Sequence, residues 1–354
     1  MGWKILSGKC QGILKSLPNS SIDCCITSPP YWGLRDYKAE DQLGLESTPE
    51  EYVQNLSVIF EEIRRILKPK GTLWLNLGDT YYGGGNNRGN TKEVSRKQKS
   101  NRGAGSVSGI GFKGALKFHS ILKPKDLVGI PWRVAFALQA QGWYLRQDII
   151  WSKSNAMPES VQDRCTKAHE YLFLLSKSPR YYFDNDAIKE PVAESTVQRL
   201  SQDIEHQEGS SRVPGKTNGP MKAVFGGRNK HSGYGTRLHS GREDDGSYLE
   251  DGRNKRSVWT VSTACSSDAH FAVFPEKLIE PCILAGCPSG GTILDPFCGS
   301  GTTGVVSLKH NRSFVGVELN PEYVELARSK IISDAPLFNH FSEEPESAFT
   351  GVDL

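Results

Sequence analysis

The chain has 354 residues, 37% of them hydrophobic and 23% charged, with a formal net charge of +3. That length buries a large core and suggests two modules, and the composition is that of an ordinary globular protein. No run of about 18 apolar residues offers a membrane span, and "MGWKILSGKC" lacks the apolar stretch of a signal peptide. Leu6 in place of Ser or Thr argues against myristoylation. The eight cysteines form no C-x-x-C pair and no zinc spacing, so reduced thiols in a cytosolic setting and no metal site are expected.

Residues 21–27, "SIDCCIT", predict a short buried strand that ends at the rigid turn "SPPYW". Residues 49–67 follow with Val53, Leu56, Ile59, Phe60, Ile63 and Leu67 at helical spacing. Lys68-Pro69-Lys70-Gly71 stops that helix, and residues 72–79, "TLWLNLGD", read as the next strand. Strand, helix, strand in this order implies an α/β fold with a parallel sheet. A second round has a helix at 130–138 and strands at 144–153 and 171–178. A third runs through a helix at 275–284, a strand at 291–297, a helix at 302–309, a strand at 313–319 and a helix at 321–332.

Two stretches break the rhythm. Residues 84–117 are rich in Gly, Asn and Ser and carry eight basic residues, Lys97, Lys99 and Arg102 among them, against the single acid Glu93. Such asymmetry predicts a loop that contacts a polyanion. Residues 187–256 are polar and Gly-rich with nearly balanced charge, and read as an inserted recognition region containing Arg228 and Arg237. Beyond residue 334 the tail is acidic.

Residues 291–304, "GTILDPFCGSGTTG", put a Gly-rich turn between an apolar strand and an apolar helix. Glycines there allow close backbone approach to a ligand, and a helix N-terminus offers free N–H groups. Gly299, Gly301 and Gly304 match G-x-G-x-x-G, and Glu318 follows at about the 20-residue spacing that suits a ribose diol. On these residues alone a dinucleotide-dependent oxidoreductase is a fair alternative, and a purely structural turn is another. A non-catalytic DNA-binding module would explain the basic loop but not this turn.

"TSPPYW", "DPFCGSGTT" and "GVELNPEY" together resemble the amino-group DNA methyltransferases, in the β-group order with the catalytic motif before the cofactor motif. The likeness covers about residues 3–83, 120–184 and 258–333. It implies a Rossmann-like methyltransferase sheet with circularly permuted motifs and an inserted target-recognition region. The organisation expected is a catalytic half (1–83), a basic DNA-contacting loop (84–120), the catalytic domain continued (121–184), target recognition (185–257), a cofactor half (258–333) and a tail (334–354).

The resemblance further implies S-adenosylmethionine as cofactor and transfer of its methyl group to an exocyclic amino nitrogen of double-stranded DNA. That nitrogen is a poor nucleophile, because its lone pair is delocalised into the ring. Ser28 Oγ and the Pro29 carbonyl would accept its two protons, with Pro30 stiffening the turn and Tyr31 stacking on a flipped-out base. Asp295, Phe297, Gly299, Ser300, Gly301, Thr302, Thr303 and Glu318 would hold the cofactor, with Phe271 and Pro275 closing its methionine end. Trp32 and Trp151 are candidates for packing against the target base. A neutral Ser28 before Pro-Pro-Tyr resembles the cytosine-N4 members, with adenine N6 as the alternative. Carbon-5 chemistry needs a thiolate, and the one Pro-Cys pair, Pro281-Cys282, falls inside a predicted helix. The family usually has Gly-Asp after its first strand; here the pair is Gly8-Lys9. A prokaryotic or phage enzyme of the cytoplasm, with a separately acting restriction endonuclease as its companion, completes the expectation.

Overall fold

The computed structural model describes residues 2–34, 41–83, 119, 121–195, 252–263 and 275–334. Its strands are β1 (Trp3–Ser7), β2 (Ile22–Thr27), β3 (Leu67–Leu77), β4 (Tyr144–Ser152), β5 (His169–Ser176), β6 (Val258–Thr260), β7 (Thr292–Asp295) and β8 (Ser313–Glu318). The helices are α1 (Cys10–Ser16), α2 (Pro49–Ile66), α3 (Ile130–Ala140), α4 (Glu276–Gly286), α5 (Thr302–Lys309) and α6 (Pro321–Asp334). All strands join one sheet in the order β1-β8-β7-β2-β3-β5-β4-β6. The sheet lies within a unit of residues 1–187 and 256–354. Residues 188–255 form a second unit, whose described part has a bridge between Glu190 and Arg253 and ion pairs from Glu190 to Arg253 and Lys255. None of the described helices is long and apolar enough to cross a membrane.

Local chemistry explains the long helix. Thr48 caps α2 by accepting from the Glu51 N–H (3.2 Å), and Glu51 reaches back to the Ser47 N–H (3.0 Å). Pro49 occupies the first turn, acids follow it, and Arg64 and Arg65 close the other end, in keeping with the helix dipole. Tyr52, Leu56, Ile59, Phe60 and Ile63 point inward, and each contributes about 1.5–3 kcal/mol by leaving water. With α1 and α3 this helix covers the sheet face formed by Leu73, Leu75, Leu77, Phe173, Leu294 and Val315. Helices α4, α5 and α6 cover the other face, where Gly286 lies on Trp74 and Gly304 on Phe314.

Two expectations need correction. The strand predicted from residue 72 begins at Leu67, directly after α2, and so includes Lys68-Pro69-Lys70-Gly71. Pro69 is tolerated because it precedes the first pairing with β5, Thr72 to Ser176, and no ladder N–H is required of it. The sheet is also not purely parallel: β5 runs antiparallel to both β3 and β4. Residues 153–168 contain no helix to carry a crossover, so the chain returns beside β4 as a hairpin would.

The topology then places the site. β2 pairs in parallel with β7, Cys24 opposite Ile293 and Cys25 opposite Leu294, so the two strands end side by side. The Pro-Pro turn and the Gly-rich turn, far apart in sequence, leave adjacent carboxyl ends of the sheet, where open α/β folds bind ligands.

Candidate active site

Asp295, the last residue of β7, has no solvent exposure. Its Oδ1 accepts from Thr27 Oγ1 (2.7 Å) and the Phe297 N–H (3.1 Å), and its Oδ2 accepts from Thr303 Oγ1 (2.6 Å). Burial pushes its pKa up to about 6, against the opposing pull of these three bonds. Asp295 and Thr303 therefore buttress the turn from within. The motif puts Asp295 beside the cofactor, and in the structure its carboxylate is spent on bonds within the protein.

Above that buttress the turn is open. Gly299 has φ +50°, and a side chain there would meet nothing within 4 Å. Its N–H donates to Glu318 Oε2 (2.9 Å), while Glu318 Oε1 takes the Asn320 N–H (2.9 Å). Burial raises the Glu318 pKa, opposed by these backbone bonds. Gly301, at φ +78°, has no room for a side chain, since an added Cβ would lie 2.9 Å from Ala327. Ser300 Oγ is buried and has no hydrogen-bond partner among the described residues. Thr302 is buried at the start of α5 and accepts from Lys330 Nζ (3.0 Å). Phe297 is half-buried, and Pro275 is the buried cap of α4. Lys9, in the place of the family's acid, precedes α1 and pairs with Asp41.

The neighbouring turn is braced just as closely. Pro30 presents its carbonyl to Tyr52 OH (2.7 Å), whereas no donor among the described residues bonds the Pro29 carbonyl. The Tyr31 ring lies against Gly78, where an added Cβ would come within 2.5 Å of it. Tyr31 OH donates to Glu170 Oε2 (2.6 Å) and accepts from Asn76 Nδ2 (2.6 Å). Asn76 Nδ2 also reaches Glu170 Oε2 (3.0 Å) and Ser28 Oγ (3.4 Å), and Ser28 Oγ in turn donates toward Tyr31 OH (3.4 Å). The carboxylate fixes the amide orientation, because only an NH2 is accommodated so close to a charged oxygen. Ser28 thus commits its proton to Tyr31 and keeps a lone pair for an incoming donor.

Lys153 pairs with Glu170 Oε1. Burial pushes Glu170 up, but the charge and hydrogen bond of Lys153 and the bonds from Tyr31 and Asn76 outweigh it, leaving the pKa below the usual carboxylate value. Lys167 Nζ is buried and has no hydrogen-bond partner among the described residues, and burial lowers its pKa. Asp79 accepts from Gly129, Ile130 and Thr80 N–H groups and so anchors the start of α3.

Two tryptophans proposed to pack against the base are buried. Trp32 is 1% exposed and donates to the Glu46 carbonyl (2.9 Å); Trp151 is 4% exposed and donates to the Val261 carbonyl (2.8 Å). Both are core residues among the described ones. Phe271, Lys97, Lys99, Arg102, Arg228 and Arg237 lie outside the described residues. Asn76, Lys153, Lys167 and Glu170 do not stand out from the sequence as site residues. The available signal is a polar residue inside an apolar strand, Asn76 in "TLWLNLGD" and Glu170 in "HEYLFLL". Cys282 is fully buried within α4, out of reach of a nucleic-acid base.

The sequence profile of the DNA methylase family that methylates amino nitrogens N6 and N4 matches residues 22–329. The chain belongs to this family. It is 42% identical over 330 residues to the type II methyltransferase M.Cfr9I of Citrobacter freundii, covering 93% of this chain and 88% of that protein. It is 39% identical over 329 residues to M.SmaI of Serratia marcescens, covering 93% and 90%. Among solved structures, PvuII DNA methyltransferase (cytosine-N4-specific) superposes with a TM-score of 0.56 at 17% identity, covering 97% of this chain and 94% of the other. TTHA0409 of Thermus thermophilus, solved in complex with S-adenosyl-L-methionine, superposes with a TM-score of 0.51 at 19% identity, covering 95% and 97%. These two likenesses establish the fold.

The protein is thus a type II DNA methyltransferase of the N4/N6 amino group. Its residues fit the family's cofactor, S-adenosylmethionine. The open space at Gly299 allows close approach, the Ser300 hydroxyl and the N-terminus of α5 offer donors to its charged end, and Glu318 is an acceptor at the end of the next strand.

Proposed function

We propose that this enzyme methylates the exocyclic N4 of a cytosine flipped out of double-stranded DNA, within a defined recognition sequence. The observation that carries the reading is the pair of acceptors after β2. Ser28 Oγ keeps a lone pair, and the Pro29 carbonyl has no donor among the described residues. Two acceptors fixed next to each other suit the two hydrogens of an amino group. Holding both hydrogens draws the nitrogen toward tetrahedral geometry and directs its lone pair away from the ring.

S-adenosylmethionine, when bound, supplies an electrophilic methyl group. Gly299, Ser300, Thr302 and Glu318 would hold it beside β7, and the pairing of β7 with β2 keeps that turn adjacent to Ser28. The two turns are rigid before any ligand arrives, so little reorganisation is left for the reaction itself. The N4 assignment rests on the neutral hydroxyl of Ser28 at the head of the motif. Such a group accepts a hydrogen bond without placing a second negative charge beside Glu170.

The test is nucleoside analysis of DNA treated with the purified enzyme and S-adenosylmethionine. N4-methylcytosine is the expected product. N6-methyladenine as the sole modified base would overturn the assignment and leave the family membership intact.

A further inference from the structure

We infer that Glu170 is the proton acceptor of the reaction, reached from the target amino group through Ser28 and Tyr31. The inference rests on the reading that Ser28 receives an amino hydrogen of the base. Methylation of an exocyclic amine forms an N–C bond and breaks the methyl–sulfur bond. The sulfonium charge passes to the nitrogen, which must shed one N–H proton to become a neutral methylamino group. That proton has to leave a turn enclosed by prolines, a glycine-packed tyrosine and a buried asparagine.

The donors in this cluster point in one direction. Ser28 Oγ donates toward Tyr31 OH (3.4 Å), and Tyr31 OH donates to Glu170 Oε2 (2.6 Å). A proton given by the nitrogen to Ser28 Oγ displaces the Ser28 proton to Tyr31 and the Tyr31 proton to Glu170. Each hydroxyl ends as it began, and the carboxylate carries the proton. The longer first contact shortens with substrate in place, as catalytic hydrogen bonds do. Asn76, which donates to both hydroxyls, cannot take the proton itself, because its amide has no basic site.

Glu170 is suited to this role. It sits at the start of β5, with its side chain 14% exposed, so the proton can pass on to solvent. Lys153, Lys167 and His169 are the cationic or titratable groups around it, together with the Tyr31 hydroxyl. Lys153 holds the carboxylate ionised and ready. A carboxylate placed only to orient Tyr31 would do so equally well as a neutral amide.

Three variants test this in single-turnover assays, with cofactor and DNA affinities measured alongside. Glu170→Gln keeps an acceptor for Tyr31 but cannot hold the proton, and Tyr31→Phe keeps the ring and cuts the chain. Each is expected to slow transfer by about 10²-fold, within the range for lost general acid–base catalysis, while both affinities stay within about twofold. Lys153→Met removes the cation that keeps Glu170 ionised, so the acidic limb of the pH–rate profile moves to higher pH. A parental rate in Glu170→Gln, or an unmoved limb in Lys153→Met, overturns the inference. Should Glu170→Gln fail to bind cofactor, Tyr31→Phe and Lys153→Met decide in its place. Ser28→Ala separates the two readings: inactive Ser28→Ala with fully active Tyr31→Phe sinks the proton path alone, whereas active Ser28→Ala sinks the proposed site.

Discussion

Thr27 Oγ1 donates a 2.7 Å hydrogen bond to Asp295 Oδ1 across a sequence separation of 268 residues. It joins the residue before the catalytic turn to the residue before the cofactor turn, and both residues are buried. Thr27→Val keeps the shape and removes the donor. It leaves a buried acceptor short of one partner, with an expected cost of about 1–3 kcal/mol in denaturant unfolding. Transfer should slow more than cofactor affinity weakens, because the relative position of the two turns is what loosens. An unchanged single-turnover rate would show that backbone pairing of β2 and β7 suffices.

Asp295 gives the protein a pH signature. In the folded state it holds its proton up to about pH 6, while in the unfolded chain it releases it near 3.8. Between those values the native state binds more protons, so this residue's contribution to stability falls as pH rises through the window and is flat above it. The shift corresponds to about 3 kcal/mol at most. Asp295→Asn lacks the titration. Its stability relative to the parent should improve between about pH 4 and pH 6, as read by urea unfolding at each pH. A difference independent of pH would mean that Asp295 titrates normally.

Ser28→Ala tests the acceptor directly. Losing one oriented acceptor at the transition state costs typically about 10²–10³ in rate. Cofactor affinity should be nearly intact, because among the described residues Ser28 bonds only to Asn76 and Tyr31. A near-parental single-turnover rate would remove Ser28 from the site.

Glu318→Ala should weaken S-adenosylmethionine by about 1.5–3 kcal/mol in calorimetry, the scale of hydrogen bonds to a charged group. The loss has two sources, since the same carboxylate also holds the Gly299 and Asn320 N–H groups and so shapes the turn. Unchanged affinity in a folded variant would exclude Glu318 from the cofactor site.

Much of the frame was legible because local signals agree with the fold. Periodicity marked α2, and glycines after an apolar strand marked the start of α5, Thr302, to the residue. β1 was placed only through the family's first-strand motif before Gly8, and α1 was missed because seven residues with one buried side chain offer little periodicity to count. The antiparallel run of β5 was invisible, since alternation along a strand carries no direction. The aromatic pair in "PYW" divides: Tyr31 bonds to Glu170 and Asn76, while Trp32, one residue on, turns into the core. Asn76 and Glu170 show only as polar residues in apolar strands, and their meeting with Tyr31 was not legible, because Tyr31 and Glu170 stand 139 residues apart and only the sheet brings them together.

The last expectation divides labour between the two polar insertions, on their charge alone. Residues 84–117 carry eight basic residues against one acid, whereas residues 187–256 are nearly balanced. A surplus of cations supplies affinity that falls steeply with salt and holds little sequence information. Arginines set among acids that orient them are suited to base edges instead. Neutralising Lys97, Lys99 and Arg102 together should weaken binding to all DNA alike and lower the salt slope by up to about three units. Replacing Arg228 or Arg237 should cost about 1–3 kcal/mol on the true site and little on random DNA. Binding titrations of both DNAs over a range of salt decide the matter. A triple variant that changes site preference and keeps the parental salt slope would reverse the two assignments.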